Sequence, residues 1–150
     1  MALIEKSGIV DAPVEAVFDY MEDPMNVPEF APGVERVEVL RRTDERVGDS
    51  FRLVYSVIGI DFPITFAVTE SERPHTLVSR MEGAMTGEFR WQLEDADGGT
   101  EVRLRIDYQV KGGAVGRAFD TLLLERMNEK NAERMVGNLK LRAESAARSR

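Results

Sequence analysis

Residues 101–110 alternate without a fault. Val102, Leu104, Ile106, Tyr108 and Val110 take one side, and Glu101, Arg103, Arg105, Asp107 and Gln109 the other. Period two over ten residues is a strand with one dry and one wet face. Such a strand needs neighbours for its backbone and a cover for its apolar row. Upstream segments share the habit. Val37 and Val39 alternate with Arg36 and Glu38. Phe51, Leu53, Tyr55 and Val57 form one row, and Phe62, Ile64, Phe66 and Val68 another. A strand over Thr76–Glu82 and the row Phe89, Trp91 and Leu93 complete the set. The intervening turns are short: 41–46, Gly59-Ile60-Asp61, Glu72 to His75, Gly83 to Gly87, and Asp95 to Gly99. Short turns between successive strands make an antiparallel meander, here of six strands, wet on one face.

The cover must come from the remaining sequence. Leu3 to Val10 reads as a further strand. Asp11 is placed to cap a helix, with Pro13 in its first turn and Val14, Val17, Phe18 and Met21 on one face. Asp23-Pro24 stops that helix, and a second short helix or turn is expected over Met25 to Phe30. From Val115 to about Ala147 proline is absent and helix formers dominate. At ~30 residues this helix would run about 45 Å, long enough to cover the sheet. The expected architecture is α+β: strand, two short helices, six strands, one long helix, with a curved sheet gripping that helix.

Size and composition restrict function. The 150 residues bury roughly 69% of the unfolded surface by area scaling, enough for one core and one domain over 1–150. Cysteine is absent and histidine occurs once, which removes thiol chemistry and most metal sites, so no cofactor is expected. The net charge of −7 disfavours nucleic acid. No apolar run reaches the ~20 residues of a membrane span, and the N-terminus lacks a signal core, so a cytoplasmic protein is expected.

Several segments resemble the START-like, Bet v 1-like superfamily, in particular its bacterial polyketide cyclase/dehydrase and lipid-transport group. Asp11 to Tyr20 is similar to that family's first strand end and Val-Phe helix. Asp23 to Val34 is similar to its second helix, and Val47 to Phe51 to its approach to the third strand. Gly98 to Val102 is similar to its last hairpin, and Asn138 to Glu144 to its helix ending. The resemblance implies a helix-grip fold with an apolar cavity between sheet and helix. It transfers no catalytic residue, because one scaffold hosts carriers, cyclases and subunits.

The inward rows supply the candidate wall of that cavity: Phe51, Leu53, Tyr55, Phe62, Phe66, Phe89, Trp91, Leu104 and Tyr108 from the strands. Phe119, Leu123 and Met127 are the helix's contribution. The same side chains could instead fill a solid core. Tyr55 and Tyr108 each carry a hydroxyl that needs a partner, either a ligand or a nearby backbone group or water. Arg126, Asn131 and Arg134 lie near the helix stripe facing the sheet. His75 and the carboxylates Glu82 and Glu88 read as solvated. Met81, Met85, Met127 and Met135 offer adaptable packing. Outward Arg90, Arg103, Arg105, Glu101 and Asp107 are expected to form cross-strand ion pairs. Gly112, Gly113 and Gly116 suggest either a gate over 111–119 or a plain strand-to-helix connection, with Asn26 to Pro32 as the alternative place for the gate.

Two functions follow. One is a carrier or sensor for a small hydrophobic ligand such as a lipid, quinone, isoprenoid or polyketide. The alternative is a cyclase or aromatase in which a tyrosine or arginine polarises a carbonyl. A positioned acid–base pair would separate them, and no inward His, Asp or Glu is evident in the sequence. An interaction protein with a vestigial cavity is the third reading.

Overall fold

The computed structural model describes residues 2–111 and 121–149. The order is β1 (Ala2–Val10), α1 (Val14–Met21), a 3-10 turn (Pro24–Asn26), α2 (Val27–Phe30), β2 (Val34–Arg41) and β3 (Ser50–Val57). Then come β4 (Ile60–Glu72), β5 (Thr76–Gly83), β6 (Met85–Ala96), β7 (Gly99–Val110) and α3 (Thr121–Arg148). The sheet runs β1-β7-β6-β5-β4-β3-β2, antiparallel throughout. The meander occupies all but one edge, and β1 pairs with the last strand, Ile4 opposite Ile106. The α1–α2 segment therefore spans from the β1 edge to the β2 edge. This is the helix-grip α+β fold that the alternation and the long helix require.

The apolar rows face inward as the period demands. Leu53, Phe62, Ile64, Phe66, Met81, Trp91, Leu93, Val102, Leu104 and Tyr108 are all buried. On α3 the buried set is Leu124, Asn128, Ala132, Val136, Leu139 and Ala143, one residue per turn. This stripe packs on β1, α1 and α2 rather than across the middle of the sheet. The approach at β1 is close: a Cβ on Gly8 would stand 3.0 Å from Val136 Cγ1. Asn138 Nδ2 donates to the Phe30 carbonyl at 3.2 Å and ties α2 to the same helix. With the helix drawn to one edge and the short helices, a space remains over β3–β6.

Several local expectations are corrected. Pro13, not Asp11, occupies the N-cap position of α1, and no side chain caps it. The Asp11 backbone N–H donates instead to Glu144 Oε2 at 2.7 Å. The β3–β4 turn centres on Ile58 and Gly59, both at positive φ, and Ile60 already belongs to β4. The turn expected over Gly83 to Gly87 shrinks to Ala84, because Gly87 lies within β6 opposite Tyr108. A Cβ at Gly87 would meet the Asp107 carbonyl oxygen at 1.9 Å, and its φ of +139° also favours glycine. On the wet face, arginines pair along their own strand: Arg90 with Glu88 at 3.4 Å and Arg103 with Glu101 at 2.9 Å. Between β6 and β7 the directly opposite neighbours carry like charge instead, Arg90 facing Arg105 and Glu88 facing Asp107. Cross-strand pairs do form between Arg90 and Glu70 of β4 at 3.5 Å and between Arg52 of β3 and Glu38 of β2 at 2.7 Å.

Candidate functional site

The space over β3–β6 is a cavity of about 140 Å³. Seven of the expected wall residues line it: Phe51, Leu53, Tyr55, Phe66, Phe89, Trp91 and Tyr108. Phe62 and Leu104 are buried within the core but do not line the cavity. Met127 packs partly buried against the core, also off the cavity wall. Leu123 is 42% exposed and Leu122 54%, so of the three consecutive leucines only Leu124 turns inward. The stripe is set by the buried positions spaced along the helix, which place Leu123 off the inner face. Phe119, Gly112, Gly113 and Gly116, with the expected gate, lie outside the described residues. Val27, Phe30, Ala31 and Pro32 line the cavity at the other expected opening.

Rings form a continuous band along the wall. Phe51 stacks on Phe66 with centroids 5.1 Å apart, and Phe89 meets Phe66 edge-on at 5.7 Å. Trp91 follows at 5.9 Å from Phe89 and touches Phe30 of α2 at 6.3 Å. Met21, Met81, Met85 and Met135 fill between these rings. Unbranched thioether chains can change rotamer at low cost, so this part of the wall is adaptable.

One end of the cavity is polar. Asn131 Nδ2 donates to the Tyr55 hydroxyl at 2.8 Å, and that hydroxyl donates to Asn128 Oδ1 at 2.8 Å. Asn128 Nδ2 then donates to the Tyr108 hydroxyl at 3.0 Å. The chain of bonds ends at the Tyr108 hydroxyl, which accepts from Asn128 and has no acceptor for its own proton among the described residues. Tyr108 is 4% exposed and lines the cavity. Burial pushes its pKa up, opposed by the bond from Asn128, so the phenol stays neutral and a donor at neutral pH. Tyr55 is pushed up by burial as well, opposed by the bond from Asn131. Asn131 thus joins the site, whereas Arg126 and Arg134 are exposed. His75 is exposed, with Nδ1 2.8 Å from the Leu93 carbonyl oxygen. Glu82 and Glu88 stand on the wet face as expected.

Two wall residues escape the sequence pattern. Asn128 sits on a helix rich in polar residues, and only the one-per-turn spacing from Leu124 to Ala132 marks it as inward. Glu22 follows the last residue of α1, where a carboxylate reads as solvent-facing. Its side chain is only 9% exposed, it lines the cavity, and it pairs with Arg73 and, at 3.6 Å, Arg46. The inward carboxylate that the sequence does not reveal is therefore present, held by arginines. The two polar groups of the wall sit on different elements: the tyrosine hydroxyls are bonded to Asn128 and Asn131 of α3, and Glu22 stands at the end of α1 against Arg73 and Arg46.

Among the described residues no cluster of three or more His, Cys, Asp or Glu could hold a metal ion. No helix there is long and apolar enough to cross a membrane.

Solved structures share this arrangement. The Zhui aromatase/cyclase from Streptomyces sp. R1128 superposes with a TM-score of 0.83 at 21% identity, covering 99% of this chain and 96% of its own. A protein from Thermus thermophilus gives 0.81 at 21% identity over 97% of this chain and 99% of its own. A START superfamily protein from Mycobacterium smegmatis gives 0.78 at 17% identity over 95% and 97%. At these identities the likeness shows the fold. No curated protein sequence is a significant match. A family profile matches residues 1–144, nearly the whole chain, and by that match the chain belongs to the polyketide cyclase / dehydrase and lipid transport family.

Proposed function

We propose that this protein binds a small, mostly apolar ligand in the cavity between sheet and helix, as a carrier or sensor. The observation that carries the reading is a buried donor, the Tyr108 O–H, without an acceptor among the described residues, on the wall of a mainly aromatic and aliphatic cavity. Apolar walls supply affinity, and one or two fixed polar groups set orientation. A ligand carbonyl or hydroxyl oxygen would accept from Tyr108, whose own oxygen is held by Asn128.

A cavity of 140 Å³ is about the size that takes benzene and is below the usual range for drug-sized ligands. Binding of anything larger requires the methionines and the α2 segment to move outward. The cyclase reading fits the wall less well. Acid–base catalysis needs both groups within reach of the same reacting atoms, and here the phenol is bonded to Asn128 of α3 while the carboxylate is held at the end of α1. The carboxylate is also engaged by Arg73.

The test is a titration with N-phenyl-1-naphthylamine followed through Trp91, the chain's one tryptophan. Trp91 lies in the cavity wall, so occupancy should quench or shift its emission with micromolar affinity and raise the unfolding temperature. Unchanged emission together with no calorimetric heat at several temperatures would remove the reading.

A further inference from the structure

The Glu22 side chain is buried to nine-tenths, yet its two oxygens are used unequally. Oε1 is taken by Arg73 and faces Arg46 at 3.6 Å. Oε2 has no hydrogen-bond partner, and among the described residues it is the one buried side-chain polar atom in that condition. A buried acceptor left unmade carries a desolvation penalty that nothing visible offsets. The residue belongs to the wall of the apolar cavity, together with Met21, Pro24 and Leu77.

The charge around it has a sign. Arg73 also pairs with Asp19, and Arg46 approaches Asp49 Oδ2 at 3.8 Å. Two guanidinium groups thus face three carboxylates, and Asp44 and Glu45 border the same cluster on its outer side. An anionic group brought here would meet net negative charge, and an acceptor oxygen would leave Oε2 as it is. A donor completes it.

We propose that Glu22 Oε2 is a recognition site for a hydrogen-bond donor on the ligand, a protonated amine or a hydroxyl, at the α1 side of the cavity. The proposal rests on the cavity being a ligand site. It adds the headgroup: an elongated apolar molecule received at Glu22 through N–H or O–H, with an acceptor oxygen, where it has one, meeting the Tyr108 O–H. Arg73 and Arg46 hold the carboxylate in place, and the unbonded oxygen does the reading.

Four probes sharing a ten-carbon frame separate the terms: decylammonium, 1-decanol, 2-decanone and decanoate. Their dissociation constants are measured by calorimetry and Trp91 emission. The expected order is decylammonium and 1-decanol at least ten-fold tighter than 2-decanone and decanoate. Glu22→Gln replaces Oε2 by an N–H donor, or leaves an oxygen there and loses the charge. Either way decylammonium should weaken about ten-fold while 2-decanone holds or tightens. Should this variant fail to fold, the order measured on the native chain decides alone. Binding of all four with no headgroup preference, or a preference for decanoate, overturns the donor site and leaves the cavity standing. Silence from all four overturns the cavity reading, and the donor site with it.

Discussion

The three tyrosines of the chain show how single hydroxyls register their surroundings. Burial pushes the pKa of Tyr55 and Tyr108 up, and burial followed by the bond to Glu29 pushes that of Tyr20 up. In each case the folded chain holds the phenol proton more tightly than the unfolded chain, whose phenols ionise near pH 10. Above that pH the unfolded state binds fewer protons than the native state, so stability falls as pH rises. Below about pH 9 these groups contribute no slope, because the phenols are protonated in both states. Unfolding temperatures measured between pH 8 and 11 should therefore drop steeply beyond pH 10. Tyr55→Phe should flatten the drop, because it removes one of the phenols whose burial raises the folded-state pKa. A drop of the same steepness in Tyr55→Phe would assign the alkaline loss to other groups.

Among the elements, β7 makes the register testable. Leu104 is 1% exposed and faces the core, while its neighbour Arg103 stands in solvent beside Glu101. Leu104→Asp buries an unpaired carboxylate and should unfold the chain or nearly so. Arg103→Asp should cost within about 1 kcal/mol, a shift of a few degrees in melting temperature. Similar melting shifts for the two would reverse the faces of β7. The strands were legible because water on one side and core on the other impose period two on the sequence itself. Helix α3 was legible as a helix but not in phase. Leu122, Leu123 and Leu124 are equivalent in composition, and packing against β1 and α1 selects Leu124. That same phase brings Asn128 and Asn131 onto the tyrosines, a polar contact across 73 residues that no local pattern encodes. Glu22 was illegible for a similar reason: its burial depends on Arg73 and Arg46, which arrive from two turns between strands.

At the scale of the whole molecule, the cavity is a defect that the architecture makes and does not fill. One helix of 28 described residues is anchored mainly to the β1 edge and to α1 and α2, and it reaches β3 through the side chains of Asn128, Asn131 and Tyr55. Small side chains keep the gap open on the helix side, where Ala132, 2% exposed, lines the cavity between Asn128 and Met135. Ala132→Leu places three more carbons into that space. Each buried methylene contributes about 0.8 kcal/mol where it fills empty volume, against a strain of about 1–3 kcal/mol where it does not fit. With 140 Å³ available the first term should win, so the variant should melt at or above the native temperature. The same atoms occupy the ligand's place, so N-phenyl-1-naphthylamine should no longer perturb Trp91. Stability gained with binding lost would mean that the chain gives up packing energy to keep a site, the usual exchange at functional positions. A variant that melts lower and still binds the probe would place the ligand elsewhere and make the gap beside Ala132 an ordinary packing void.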